Sequence, residues 1–529
     1  MPLLRLLLLQ LCVWAPAEAI QGDGPPGTED YYWPKRAGTY VGHGAVPFDV
    51  PTDLSRKPAW TWDNPYDELF RHGPVIDGKK NIYAVTSAGW IRKFSPDGVV
   101  KWTWRSASHE GKIVTSPFLY KGQLFLSSMG PGSMGLNILL HCFDMETGKH
   151  LWAKPGPKNG RMNHDSSTVH VAEGVVLGGL INNFRPAVVD GNNLIFAMNA
   201  SSGDELWQVT LDEGSIWNFM PSTPGDGTFF FSTNCGGTER RHLSNGSLIW
   251  RGPVKEPGAW CSTGGGTLGP NGVYYAETNN FKVPRHGVTA EPVLNNLADC
   301  IPGYFCPQGM GLLVAYRAED GEVLWKRRIH PDFGGWQYPT VGKIDGRLLV
   351  VAAIGTNPSL PEGFMGPRFL PQIVREYIAR FQWRSAWLRW LLGVPKKRNA
   401  VAAYDADTGA LVWLWEEPPW EYHAAAGDEE LLHARFPRML ADPRNEVVCG
   451  PDNWGIPAIT ADGTVIVGSG SSGNLYAIRD RDGDGSISSS EVSTLETHQA
   501  FLNGPALAPG LMAVAPCWGK MYVFKSDSK

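Results

Sequence analysis

Ala403-Tyr404-Asp405-Ala406-Asp407-Thr408-Gly409-Ala410-Leu411-Val412-Trp413 is the stretch on which the fold turns. An apolar run enters a turn of Asp, Thr and Gly, and a tryptophan follows four residues after the glycine. The same offset recurs along the chain. Asp97-Gly98 leads to Trp102, Thr147-Gly148 to Trp152, Ser202-Gly203 to Trp207, Asn245-Gly246 to Trp250 and Asp320-Gly321 to Trp325. Short polar side chains cap their own backbone and glycine accepts a positive φ, so each segment reads as a hairpin between two strands. The tryptophan then holds a fixed pleat position on the outgoing strand, where its ring can bury against the next unit.

A unit of this kind cannot cover its own faces and must stack on copies of itself. For short antiparallel units that means a radial propeller. Lettering the strands of a blade A to D from the axis outward, six blades end at the six tryptophan strands. A seventh runs from about Trp454 through Asn474-Leu475-Tyr476-Ala477-Ile478. An eighth has Gly504-Pro505-Ala506-Leu507, then Leu511–Ala515, then Met521-Tyr522-Val523-Phe524, and lacks a fourth strand. Trp60-Thr61-Trp62-Asp63 has the form of Trp102-Thr103-Trp104-Arg105 and is expected to supply it. Closure of that kind removes the exposed edges that invite aggregation. The expected fold is therefore an all-β, eight-bladed β-propeller over residues 59–529, behind an N-terminal arm at 20–58.

The full form at Ala403–Trp413, and His141-Cys142-Phe143-Asp144-Met145-Glu146-Thr147-Gly148 with it, resembles the PQQ propeller repeat. Trp33-Pro34-Lys35-Arg36 resembles the lead-in of such propellers. The resemblance covers roughly residues 60–525. The repeat occurs in quinoprotein alcohol dehydrogenases and in a non-enzymatic outer-membrane assembly propeller of bacteria. It implies the fold, and either a scaffold or a PQQ-dependent dehydrogenase. Alcohol-oxidising members carry two adjacent cysteines beside the quinone, and this chain has no Cys-Cys pair.

The chain of 529 residues carries a net charge of −5, which argues against a global electrostatic attraction to nucleic acid. Arg5, the apolar run Leu6–Ala15 and Ala17-Glu18-Ala19 read as a signal peptide over residues 1–19, so the mature protein is expected to be secreted or to reside in the secretory lumen. Cys12 leaves with it, and an oxidising compartment permits disulfides among the seven cysteines that remain. Cys300–Cys306, Cys235–Cys261 and Cys449–Cys517 are the expected pairs, with Cys142 as a free buried thiol. Asn199-Ala200-Ser201 and Asn245-Gly246-Ser247 are glycosylation sequons in C–D turns.

Strands within a blade alternate direction, so D–A and B–C connections share one face. The long insertions, about 281–309 and 358–398, fall there. So do Trp217, Trp260, Trp336 and Trp454, each where strand D passes into the next strand A. With Asn163, His164, Asp165, Asn218, Asp452 and Asn453 at comparable positions they form a candidate polar and aromatic pocket for a planar quinone, a sugar or a peptide. The alternative is inter-blade packing, which needs the same residue types. In a dehydrogenase, Asp165 or Asp452 would be the candidate catalytic base.

Asp480-Arg481-Asp482-Gly483-Asp484-Gly485-Ser486-Ile487-Ser488-Ser489-Ser490-Glu491 matches the EF-hand calcium loop position by position. Asp480, Asp482 and Asp484 supply side-chain oxygens, Ser486 its carbonyl, Ser488 a hydroxyl or water, and Glu491 a bidentate carboxylate. A strand enters this loop where an EF-hand has a helix, which makes it a C–D hairpin and a structural clamp.

Residues 368–398 hold Arg368, Arg375, Arg380, Arg384, Arg389, Lys396, Lys397 and Arg398 against one acid, Glu376. Ile373–Leu392 reads as a helix between Pro371 and Gly393, with Trp383, Trp387 and Trp390 along one stripe. Basic residues with interfacial tryptophan suit a membrane surface or a partner. The expectation carried forward is a lid over the propeller mouth that buries those tryptophans. The function carried forward is a secreted, calcium-binding scaffold that takes a protein, glycan or small planar ligand on its D–A/B–C face. A PQQ-dependent alcohol or sugar dehydrogenase is the alternative.

Overall fold

Eight antiparallel sheets succeed one another along the chain. The computed structural model describes residues 31–64, 68–106, 113, 115–129, 138–157, 169–180, 193–211, 219–233, 238–252, 265–280, 310–329, 333–355, 385–391, 396–422, 424–429, 449 and 452–526. From innermost to outermost strand, blade 1 runs from Val75–Ile76 to Val100–Arg105 and blade 2 from Phe118–Tyr120 to His150–Pro155. Blade 3 runs from His170–Ala172 to Glu205–Leu211 and blade 5 from Gly266–Leu268 to Val323–Arg328. Blade 6 runs from Thr340–Ile344 to Leu411–Glu416 and blade 7 from Ala458–Ile459 to Val492–Glu496. Blade 4 has three strands, Thr228–Ser232, Thr238–His242 and Leu248–Arg251, and a single bridge between Ser222 and Phe230 marks its inner edge.

Blade 8 is completed from the other end of the chain. Trp60–Asp63 pairs antiparallel with Lys520–Lys525, Trp60 opposite Val523 and Asp63 opposite Lys520. The ring is thus closed by the expected N-terminal strand.

One contact repeats around the ring. The C–D turn glycines Gly98, Gly148, Gly203, Gly246, Gly321 and Gly409 have φ between 68° and 85°. A Cβ on any of them would lie 2.6 to 2.9 Å from a tryptophan ring of the preceding blade. The rings are, in order, Trp60, Trp102, Trp152, Trp207, Trp250 and Trp325. Five of them also donate their indole N–H into the same turn. Trp60 reaches Pro96 O at 2.9 Å, Trp102 reaches Met145 O at 3.1 Å and Trp207 reaches Leu243 O at 2.9 Å. Trp250 reaches Ala318 O at 2.9 Å and Trp325 reaches Ala406 O at 3.0 Å. Flat ring on bare backbone, with one directional bond, sets the spacing of adjacent blades.

The arm after Tyr31 runs around the inner strands and touches every blade in turn. Trp33 exchanges backbone hydrogen bonds with Ile76 at 3.0 and 2.9 Å, and Leu119 N donates to Pro34 O at 2.8 Å. Lys35 Nζ lies 3.5 Å from His170 Nδ1 in blade 3. Thr223 Oγ1 donates to Tyr40 O at 3.4 Å in blade 4, and Thr267 Oγ1 to Gly42 O at 3.5 Å in blade 5. Val341 N donates to His43 O at 2.9 Å, Val46 N to Ile459 O at 2.9 Å, and Gly510 N to Asp49 O at 2.8 Å. Ala37, Met220, Tyr338 and Ile456 form a small apolar cluster between arm and blades. The arm therefore lines the inner edge of the ring.

Two outcomes are expected. Gly148→Ala should lower the melting temperature more than Gly122→Ala. Both glycines have positive φ, 71° and 73°, but a Cβ meets nothing within 4 Å at Gly122. The difference isolates the tryptophan contact, on the order of 1–3 kcal/mol; equal losses would show that the contact is unimportant. The second concerns Lys35, whose buried amine is pushed down from 10.5 to about 7 by burial. Between those values the unfolded chain holds the extra proton, so stability rises with pH, and below about 7 the full penalty applies. Lys35→Met should abolish that rise and stabilise the protein at pH 7 by roughly 1–4 kcal/mol, read by denaturant melts across the range.

Candidate functional site

The D–A/B–C face carries a polar crown at the inner ends of blades 5 to 8. Gln337, in the connection into blade 6, donates from Nε2 to Asp452 Oδ2 at 3.0 Å, in the connection into blade 7. Asn453 beside it is fully buried, with neither amide atom hydrogen-bonded. Asn503 Nδ2, in blade 8, donates to Arg71 O at 2.5 Å, and Arg36 of the arm donates from Nη2 to Leu502 O at 3.3 Å. Glu277, on the second strand of blade 5, is 2% exposed. Burial pushes its carboxyl well above the usual carboxylate range, against the opposing pull of the Gln337 and Trp336 amides. Among the described residues no donor meets either carboxyl oxygen in hydrogen-bonding geometry.

Trp336 and Trp454 turn inward. They are 3% and 0% exposed, and their indoles donate to Gly355 O at 3.1 Å and Ile354 O at 3.0 Å. Both therefore cap the end of Arg347–Gly355 in blade 6 and present no ring face to solvent. Asp452 and Asn453 do lie together in the crown; Asn163, His164, Asp165, Trp217, Asn218 and Trp260 fall outside the described residues. Sequence reasoning missed Glu277, Gln337 and Asn503. For Glu277 a signal existed, a lone carboxylate directly after the apolar run Val273-Tyr274-Tyr275-Ala276 in a strand.

On the same face Cys449 and Cys517 form a disulfide with Cα atoms 5.7 Å apart, tying the approach to blade 7 to blade 8. Asp428 braces it, accepting from Cys449 N at 2.7 Å and Trp518 Nε1 at 3.1 Å. Cys142 is a free, buried thiol. Cys235, Cys261, Cys300 and Cys306 lie outside the described residues.

Of the predicted Ile373–Leu392 helix, the described part is a helix at Ala386–Leu391. It overturns the expected burial of its tryptophans. Trp387 is 65% exposed and Trp390 74%. The residue that turns inward is Arg389, its guanidinium 4.4 Å from the centre of the Tyr422 ring. At this helix a cation on an aromatic ring outcompetes indole burial. Trp383 lies outside the described residues.

The acidic loop joins Asn474–Ile478 to Val492–Glu496 in blade 7, as a C–D hairpin. A 3-10 turn, Ser489–Glu491, leads straight into the outer strand. Asp480 accepts from Gly483 N at 2.8 Å and Gly485 N at 3.0 Å, Asp482 from Asp484 N at 3.2 Å, and Asp484 from Ser486 N at 2.7 Å. Glu491 folds back to accept from Arg481 N at 2.5 Å and Ser488 N at 2.8 Å. The Ser488 N–H is the largest of the hydrogen-bond contributions that hold its carboxyl down to about 2. Ligand oxygens of Asp480, Asp482 and Glu491 lie within 4.8 Å of one another. Such an oxygen-rich set fits a hard divalent cation. The loop occupies the seam where the glycine–tryptophan contact would otherwise fall: Ser486 bridges to Leu414 of blade 6, and a Cβ at Gly485 would lie 3.1 Å from Val412 O.

The sequon asparagines Asn199 and Asn245 sit in C–D turns, on the face opposite the crown. Asn199 Oδ1 accepts from Ser201 N at 2.9 Å, and Asn245 Oδ1 from Ser247 N at 2.9 Å.

A family model described as outer membrane protein assembly factor BamB matches residues 87–260. A europium-containing methanol dehydrogenase superposes with TM-score 0.58 at 11% identity, covering 96% of this chain and 100% of that one. BamB from Moraxella catarrhalis aligns at 12% identity and TM-score 0.48, over 88% of this chain and 100% of that one. A quinohemoprotein alcohol dehydrogenase from Comamonas testosteroni aligns at 13% and 0.48, over 94% and 81%. No curated protein matches. The eight sheets, the family-model match and the superposition on the methanol dehydrogenase establish a PQQ-like β-propeller fold.

One network between blades 6 and 7 yields a test. Glu417 is buried and accepts from Asn399 at 2.8 Å, Ser469 at 2.9 Å, Ser472 at 2.8 Å and Tyr476 at 3.3 Å. Burial outweighs these bonds and raises its carboxyl from 4.5 to about 6. Between those values the folded state binds the extra proton, so stability falls as pH rises through the window and then levels off. Glu417→Gln should flatten that fall and stabilise the protein at pH 7 by about 1–2 kcal/mol. An unchanged pH profile of thermal melting would contradict it.

Proposed function

We propose that this propeller of PQQ-like repeats is an exported, calcium-binding scaffold that holds a protein partner on its D–A/B–C face. The observation that carries the reading is the arm. Residues 33–49 run around the inner edge of the ring and contact each blade in turn, so the fold uses its inner rim for self-closure. The elaborated outer loops of one face then remain for recognition, as is usual for loops on a rigid scaffold. The matched family model, described as an assembly factor, supports the same direction. Export rests on the signal-peptide pattern of residues 1–19, which lie outside the described residues. No helix among the described residues is long and apolar enough to cross a membrane.

The metal reading rests on the converging carboxylates of Asp480, Asp482 and Glu491, with Asp484, the Ser486 carbonyl and Ser488 completing the set. Bound calcium would neutralise these acids and stiffen the seam between blades 6 and 7 through the Leu414–Ser486 bridge. The dehydrogenase alternative needs a flat aromatic bed for the quinone, and Trp336 and Trp454, both buried against backbone, do not offer one.

Calorimetry should find one calcium site, and calcium should raise the melting temperature relative to EDTA. Asp480→Ala with Glu491→Ala should abolish both effects; undiminished binding by the double variant would move the site elsewhere. Incubation with PQQ and calcium should leave the protein's absorbance unchanged after desalting. A retained quinone band would favour the dehydrogenase.

A further inference from the structure

We propose that Trp387 is a C-mannosylation site, an indole that receives one mannose through a carbon–carbon bond at its C2 atom. Enzymes that make this bond take as acceptor the first tryptophan of a Trp-x-x-Trp segment. Trp387-Leu388-Arg389-Trp390 has that form. The chain holds 22 tryptophans, and this is the one pair three residues apart. Trp60 and Trp62, like Trp102 and Trp104, are two apart, and Trp383 and Trp387 are four apart. The mannosyl donor is met in the secretory lumen, so the acceptor role rests on the export reading proposed above.

Exposure singles out the same indole. The ring tryptophans are committed to packing: Trp336, Trp413 and Trp454 are 3%, 2% and 0% exposed, and Trp250 and Trp325 are 8%. A hexose on any of these would have to displace a neighbouring strand or turn. Trp387 is 65% exposed and Trp390 74%, one turn apart on the Ala386–Leu391 helix. Between them in sequence, Arg389 is 9% exposed and turns to the other side, its guanidinium 4.4 Å from the centre of the Tyr422 ring. The fold therefore has room for a sugar on Trp387 without loss of a packing contact. Two open indoles are an association liability on an exported protein, and the hydroxyls of a hexose would hydrate the surface the fold leaves bare. The step balances without an oxidant. The donor is a mannose carried on a polyisoprenyl phosphate. The electron-rich indole C2 attacks C1 of the mannose. The bond from C1 to the phosphate oxygen breaks and the lipid phosphate leaves with its electron pair. The proton on C2 passes to a base, which restores the aromatic ring.

The test is peptide mass spectrometry of the full chain, expressed with its own leader in animal cells that carry the tryptophan C-mannosyltransferase and recovered from the medium. The peptide that contains Trp387 should carry the mass of one hexose. On fragmentation that hexose should break across its ring and leave a stub on Trp387, because a carbon–carbon bond does not release the sugar whole. A hexose on the Ser385 hydroxyl would come off intact. Trp390→Ala should give near-complete loss of the addition at Trp387, with the melting temperature of the parent because the replaced ring is exposed. Three results overturn the site: an unmodified Trp387 in the exported protein, a hexose that is released whole, or a hexose on Trp387 that persists in Trp390→Ala. A second chain with residues 1–19 replaced by a proven signal peptide runs alongside. If only that chain reaches the medium, the export reading fails, and the state of its Trp387 decides the acceptor separately.

Discussion

The contact between a C–D turn glycine and the tryptophan of the preceding blade is the constraint from which the ring is built. A propeller of eight sheets has eight seams, and adjacent sheets splay as they leave the axis. Apolar residues on strands A to C can fill the inner part of each wedge. Near the rim the gap is wider, and only the largest flat side chain spans it. The indole must lie on backbone without a Cβ in the way, which requires glycine, and the turn must already hold φ positive. One residue choice thus serves the hairpin and the neighbour at once. The indole N–H fixes the height at which the ring docks, as between Trp102 and Met145 O.

The two seams that depart from this rule mark where the molecule differs from its own repeat. Between blades 6 and 7 the acidic loop replaces the glycine turn and reaches Leu414 through a backbone bridge. Between blades 7 and 8 the outer strand Val492–Glu496 has no tryptophan, and the arm contributes there, Leu54 N donating to Ser493 Oγ at 2.8 Å. Closely spaced carboxylates are a costly clamp without a cation and a strong one with it. On the opposite face the Cys449–Cys517 disulfide spans the same sector. The sector that breaks the repeat is therefore braced by a covalent bond, a buried carboxylate network at Glu417 and the acidic loop.

The arm changes what the D–A/B–C face can do. With Lys35 and its neighbours against the inner strands, polar atoms at the inner ends of the blades meet protein as well as solvent. Burial pushes the Glu277 carboxyl well above the usual carboxylate range, while Gln337 donates to Asp452. A crown of this kind fixes the inner loop ends in one arrangement, which is what a recognition surface farther out needs from its support.

The repeat, the blade count and the closing strand were legible in the amino-acid order because each rests on local chemistry. A glycine that needs positive φ and a tryptophan four residues later are visible within a dozen residues, and Trp60-Thr61-Trp62 copies Trp102-Thr103-Trp104. The Asp480–Glu491 pattern is equally local. Orientation across long separations was not legible. Whether Trp336 and Trp454 formed a platform or capped Arg347–Gly355 depended on carbonyls of another strand, Ile354 being 100 residues from Trp454. Tyr422, 33 residues away, drew Arg389 inward and left Trp387 and Trp390 outside. The sequence alone determined the turns and the units they make. Tertiary structure decided which side of each unit is buried, because a tryptophan, an arginine or a lysine can satisfy its ring, stem or donors in more than one environment, and only the assembled neighbours select among them.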